Sequence, residues 1–304
     1  MNLPVRPSSR RAAVAAILAS AAAAASVGFA GTASAQVTSI TQFSSPAPVG
    51  PTPRASAVLA KTGAGPDDIA VDALGNVYTA NSRANTVTKI TPGGRASVLG
   101  ITGQTPRGIA VDSAGTVYTS NLGANTVTKI TADGVSTVLG ATGRQPIDIA
   151  LDAAGNVYTT NYLDSTVTKI TPSGTSSVFG TTGSRPLGIT LDPAGNVYTA
   201  NEGANTVTKI TPAGTSSVFG TTGGWPQAIA MDGSGNVYTA NWNSRNVSKI
   251  TPAGASTILG RTSRRPIGIA LDPSGNVYTT NDGSSTVSRI TPGGMSKVIA
   301  RTGR

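Results

Sequence analysis

Ile69-Ala70-Val71-Asp72-Ala73-Leu74-Gly75-Asn76-Val77-Tyr78-Thr79-Ala80-Asn81 is the stretch that decides the fold. Two short β-type runs flank a turn that opens on Asp and carries Gly three residues on, the pattern of an antiparallel hairpin. Variants of it return at residues 109–121, 149–161, 189–201, 229–241 and 269–281, so the period is 40 residues and nothing is inserted or deleted between copies. Self-similarity this strict marks a repeat architecture, in which each unit buries its apolar surface against its neighbours.

Outward from this hairpin each unit completes itself. In the first copy the β-type runs are residues 69–72, 77–81, 86–91 and 97–100, here called a, b, c and d, separated by Gly, Pro, Asn and Asp turn residues. Four short strands per 40 residues fit a propeller blade, whereas a β-helix coil or a leucine-rich repeat is shorter per turn. The expected fold is therefore all-β, a six-bladed β-propeller with four antiparallel strands per blade, over residues 55–304. Run d has a seventh copy: Ala57-Val58-Leu59-Ala60 precedes the first a run, and Lys297-Val298-Ile299-Ala300 ends the last unit. Both termini compete for one outer slot. One should fill it while the other adds a fifth strand or stays loose.

The first 35 residues differ in kind. Arg6, Arg10 and Arg11 give a positive start, residues 12–30 are uncharged and alanine-dominated, and Ala33-Ser34-Ala35 has the small-x-small form of a signal-peptidase site. Residues 1–35 are expected to be a removable signal peptide, by the general secretory route more than the twin-arginine one, although the run is long enough for an uncleaved anchor. Residues 36–54, with four prolines, read as a linker or tail. The expected location is secreted or periplasmic, with no stable membrane anchor after cleavage. Losing the three arginines leaves 20 of the 23 basic residues against 13 acidic ones, a net charge of +7. Such a surface favours anionic partners without naming one. Cysteine and histidine are both absent, so stability comes from packing and pairing, and the commonest zinc ligands and general base are missing.

The pattern Ala70-Val71-Asp72-x-x-Gly75-Asn76-Val77-Tyr78, followed by Asn85-Thr86-Val87, resembles the NHL-repeat propellers. It is similar also to the broader group that includes the streptogramin (virginiamycin B) lyases and the gluconolactonase-like enzymes. The resemblance covers the whole chain after the signal. The name-giving Asn-His-Leu is here Asn85-Thr86-Val87, and the departure recurs in every copy. It implies a six-bladed fold. For the gluconolactonase-like enzymes it also implies a divalent metal held by acidic and Asn side chains in the channel, and for the streptogramin lyases a reliance on histidine. This chain has no histidine to place on that pattern.

Strands alternate direction within a blade, so the d–a and b–c loops share one face. The a–b and c–d loops are nearly constant between copies, whereas the d–a and b–c loops are individual. The individual loops carry Arg107, Tyr162, Arg185, Trp225, Gln227, Trp242, Asn243 and Arg265, including both tryptophans and the one tyrosine outside the Val-Tyr-Thr repeat. Variable loops on a rigid scaffold are the usual carriers of recognition, though neutral drift would also vary them. Those eight residues are the candidate ligand-binding set.

Two residues after each d–a proline the copies carry Asp68, Gly108, Asp148, Gly188, Ala228 and Gly268. Asp68 and Asp148 are the exceptions among small residues and could supply part of a site for one divalent cation such as calcium. Salt bridges to neighbouring arginines are the plainer reading. The ring of Asp72 and its copies reads as turn chemistry, as does Asn81 with its copies. Lys89, Lys129, Lys169, Lys209, Lys249 and Arg289, one per blade, read as a solvated feature that protects an edge at strand c.

No catalytic residue is assigned, and neither a nucleophile elbow nor a phosphate-binding glycine motif is present. The expected function is that of a monomeric, cofactor-free, non-catalytic binding protein for a glycan, cell-wall or other anionic polymer, or protein partner. The alternative is a metal-dependent hydrolase or lactonase using the channel. Nucleic acid is not an expected partner, because acidic residues interrupt any continuous basic stripe.

Overall fold

The computed structural model describes residues 60–302. Six four-stranded antiparallel sheets follow one another, each made of one continuous repeat with its strands in the order a-b-c-d. In blade one these are Pro66–Val71, Val77–Asn81, Thr86–Ile90 and Ala96–Ile101, and the later blades repeat them at 40-residue intervals to Arg301. One short 3-10 turn, Asp282–Ser284, is the only helical element among the described residues. Strand a begins at Pro66, earlier than its apolar run suggests, because Pro66 still pairs with Asn81 across a register shift between Pro66 and Asp68.

The a–b turn is built by one side chain. Asp72 Oδ1 accepts the backbone N–H groups of Leu74 and Asn76, at 3.0 and 2.8 Å, while Gly75 takes a φ of 79° that a side chain would resist. The turn reading of the aspartate ring therefore holds. Its second oxygen does something the repeat pattern did not announce: the Tyr78 hydroxyl donates to Asp72 Oδ2 at 2.9 Å, and the pair recurs in every blade. Asn81 is likewise structural, donating from Nδ2 to the hydroxyls of Thr86 and Thr88 across the b–c hairpin.

Blades seal against each other through β-branched residues. Tyr78, Ala80 and Val87 of blade one pack on Ile109, Val117 and Ile130 of blade two, and the same arrangement closes each following junction as far as blades five and six. Each fully buried Val or Ile contributes about 1.5–3 kcal/mol, so these layers dominate the fold's stability. The junction of blade six with blade one is different. Its inner strands lack the close approach that joins every other neighbouring pair. Ala270 and Tyr278 on one side, with Ile69 and Val71 on the other, stay half-buried.

At the C-terminus, Ser296–Arg301 pairs with Thr286–Ile290, so Lys297-Val298-Ile299-Ala300 fills the outer place of blade six. Ala57-Val58-Leu59, the competing run, lies outside the described residues, as do the expected signal peptide 1–35 and linker 36–54. Among the described residues no helix is long and apolar enough to cross a membrane.

The lysine series corrects an expectation. Strand c lies between b and d and is not an edge. Lys89 stands opposite Tyr78 in the b–c register, with Nζ 5.6 Å from the ring centroid, and Lys169, Lys209 and Lys249 repeat the contact. The true edge is strand d.

Candidate ligand-binding face

The d–a turn ends, just before each strand-a proline, in a residue with left-handed backbone: Gly65, Thr105, Gln145, Arg185, Trp225 and Arg265. Its carbonyl accepts the N–H of the first b–c loop residue: Ser82, Leu122, Tyr162, Glu202, Trp242 and Asp282, in the same order. These backbone bonds join the two loop sets on one face, as the alternation of strands requires. They present a pair of side chains per blade as a crown. A bulky residue with positive φ is strained by roughly 1–2 kcal/mol. The neighbouring blade helps to hold that conformation, since Asn205 Oδ1 accepts the N–H of Trp225 at 2.7 Å and Asn125 Oδ1 that of Gln145 at 2.8 Å.

The crown is lopsided. Blades one and two supply only Gly65, Ser82, Thr105 and Leu122, while blades three to six supply the aromatic, charged and long polar side chains. Within the large half two assemblies form. Glu202 holds the first together, accepting the Tyr162 hydroxyl on Oε2 at 3.0 Å and Gln227 Nε2 on Oε1 at 3.2 Å. Burial, and then the Glu202 carboxylate, push the Tyr162 phenol up to about 12, with Arg185 opposing the shift. Tyr162 is thus a neutral donor at any physiological pH.

The second assembly is a stack. Trp225 and Trp242 lie with ring centroids 5.2 Å apart and planes 21° from parallel. The Arg265 guanidinium carbon sits 4.9 Å from the centroid of Trp242. Trp225 turns one face to Trp242 and is 44% exposed, so its accessible surface lies on its other side, while Trp242, in contact with both Trp225 and Arg265, is half-buried. The arginine stem is placed by what it crosses: a Cβ on Gly283 would fall 3.0 Å from Cγ and Cδ of Arg265. Gly203 leaves room for the stem of Arg185 in the same way.

Of the residues expected from sequence, Tyr162 and Gln227 meet through Glu202, and Trp225, Trp242 and Arg265 meet directly. Arg185 and Asn243 lie exposed on the same face. Arg107 does not join them. It belongs to strand a of blade two, is 10% exposed, and places Nη1 3.6 Å from the carboxylate of Asp67, itself 2% exposed. The two inner-strand carboxylates act as stitches between blades: Asp68 Oδ2 accepts the N–H of Ile109, and Asp148 Oδ2 that of Ile189, both at 3.1 Å. Among the described residues no three acidic side chains gather into a group that could hold a metal ion. Glu202 is the site residue that sequence reading passed over. Its 40-residue offset from Tyr162 and its place in the crown series are the signals that identify it.

Comparison with known proteins bears on the fold and the family. Residues 135–299, more than half of the chain, match the virginiamycin B lyase family. The structure is similar to virginiamycin B lyase from Staphylococcus aureus, with a TM-score of 0.69 and 19% identity over 79% of this chain and 85% of that one. A catalytically inactive His-to-Ala variant of the same lyase, with quinupristin, gives 0.62 and 19% over 72% and 78%. A gluconolactonase from Xanthomonas campestris gives 0.56 and 16% over 73% and 85%. No curated protein sequence matches the chain. At these identities the solved structures establish a shared propeller fold, and it is the family match that places the sequence: the chain belongs to the virginiamycin B lyase family.

Proposed function

We propose that this chain is an exported, non-catalytic binding member of its family, taking a glycan, an anionic polymer or a protein partner on the face made by the d–a and b–c loops. The observation that carries this reading is the stack of Trp225, Trp242 and Arg265 beside the Tyr162–Glu202–Gln227 cluster, all on one face. Aromatic and arginine side chains set on a rigid scaffold are the usual energetic centres of recognition surfaces. Replacing one histidine by alanine accompanies loss of catalysis in the Staphylococcus aureus lyase, and this chain contains no histidine at all. Lyase chemistry that needs an imidazole has no counterpart here.

Both tryptophans lie in the stack, so tryptophan emission, excited selectively over tyrosine, reports on this face alone. Glycans, anionic polymers and metal ions are screened against the full chain by fluorescence and thermal shift, with Trp242→Ala as comparison. Binding that changes the emission and is lost in the variant supports the reading. Binding undisturbed by Trp242→Ala moves the site elsewhere. A tightly bound divalent ion together with chelator-sensitive lactone hydrolysis would replace binding by catalysis.

A further inference from the structure

We infer that the ligand is an acidic polysaccharide, one sugar ring of which lies on the open face of Trp225 while carboxylates of neighbouring units meet Arg185 on one side and Arg264 on the other; this rests on the binding face proposed above. The left-handed crown position holds Arg185 in blade four, Trp225 in blade five and Arg265 in blade six, an aromatic platform with a cation one blade away on each side. Two other arginines of the d–a loops are engaged: Arg144 is bound to Asp164 at 2.6 Å, and Arg107 lies against Asp67 inside the ring. Arg265 is committed to Trp242, and it brings the exposed Arg264 beside it.

The charge around the platform is one-sided. Blades four to six carry Arg185, Arg245, Arg264 and Arg265 in these loops against Glu202 and Asp282. Both oxygens of Glu202 already accept hydrogen bonds, from Tyr162 and Gln227, which turns that carboxylate inward to the cluster. A planar indole with one open face suits the C–H face of a pyranose. The exposed Asn243 and Ser244 beside the stack provide amide and hydroxyl groups for sugar hydroxyls. Guanidinium groups bind carboxylate in paired geometry. The crown is an open surface spanning several blades, which fits a chain of linked units better than an enclosed small molecule.

The test uses the full chain with polygalacturonate and its methyl ester, the same polymer with its carboxylates masked. Binding is read by affinity electrophoresis and by tryptophan emission. De-esterified polymer should bind and alter the emission, with the ester at least about tenfold weaker. Trp225→Ala and Arg185→Gln should each weaken binding about tenfold at unchanged thermal stability. Trp225→Asn, which tolerates the left-handed backbone, should behave as Trp225→Ala does and guards against a folding defect.

Equal binding of ester and acid would overturn the acidic class while leaving the face intact. Undiminished binding by both Trp225 variants would overturn the platform. Duplex DNA or an acidic protein bound as tightly as polygalacturonate would show an unselective basic surface and overturn the sugar assignment. No binding to polygalacturonate would overturn the inference outright. The proposed face would then be judged separately by the Trp242→Ala comparison in the wider screen.

Discussion

The Thr160 hydroxyl donates to the backbone carbonyl of Leu187 at 2.7 Å, a bond that crosses from blade three to blade four. The same oxygen accepts the N–H of Asp148 at 3.1 Å. Ser120 makes the equivalent bond to Ile147 from blade two to blade three. At the corresponding place in blade six stands Thr280, 3% exposed, whose hydroxyl has no hydrogen-bond partner among the described residues. The repeat sets the backbone of Asp67 opposite it, across the one junction where the inner strands do not close up.

That contrast predicts opposite outcomes for one substitution. Thr160→Val leaves a buried carbonyl and an amide without their partner and should cost about 1–3 kcal/mol. Thr280→Val removes an unsatisfied hydroxyl and should be neutral or stabilising. Chemical unfolding of the two variants decides it, and equal losses would sink the idea. In the parent protein, amide exchange in Pro66–Val71 and Pro266–Leu271 should outpace exchange in Pro146–Leu151.

The tyrosines predict an alkaline limit to stability. All seven have a phenol pushed above its ordinary value of 10.0, by burial first and then by the carboxylate each one meets; Tyr118 and Tyr278 reach about 12. Because the folded value lies above the unfolded one, this contribution is complete below the unfolded pKa near 10 and is lost as pH rises through the folded values. Tyrosinate absorbance and loss of sheet circular dichroism should therefore rise together in an alkaline titration. Tyrosines that ionise near their ordinary value with the sheet signal intact would refute this.

Outer strands predict a solubility effect. In blades one to four strand d carries no charged residue, and Val98, Val138, Val178 and Val218 are each more than 60% exposed. An uncharged edge strand with exposed β-branched residues is a template for pairing with another chain. Blade five ends its outer strand in Arg261, and blade six carries Lys297 and Arg301. The double variant Val178→Lys, Val218→Lys should aggregate more slowly on warming, with stability changed by no more than about 0.5 kcal/mol per site. Light scattering alongside unfolding measures both, and unchanged aggregation would remove the edges from suspicion.

The 40-residue period made the blades legible because spacing needs no side-chain detail. Asp72 was legible as a turn residue for the same reason: its partners lie within four residues along the chain. What stayed hidden depends on contacts between repeats or on where strand a begins. Arg107 looked like a loop residue because the apolar run starts at Ile109. The strand starts earlier, at Pro106, and carries the side chain inward to Asp67. Lys89 looked solvated because its partner, Tyr78, is a neighbour only once strands b and c pair. Glu202 is absent from the candidate set because only contact between neighbouring blades brings Tyr162 to it.

Gly283 tests whether the stack is held by its surroundings. The Arg265 stem crosses this glycine, and a Cβ there would also lie 3.1 Å from Cβ of Arg264. Gly283→Val should lift the stem and draw the guanidinium off Trp242, leaving the blade folded because the residue sits in an exposed loop. Losing a cation from an indole face is worth about 0.5–1 kcal/mol at an exposed site, too little to unfold the ring. Tryptophan emission should shift while far-ultraviolet circular dichroism does not. Arg265→Gln should give the same emission as Gly283→Val, and the double variant should add nothing, since both act on one contact. Additive shifts would mean that Gly283 shapes the face by another route.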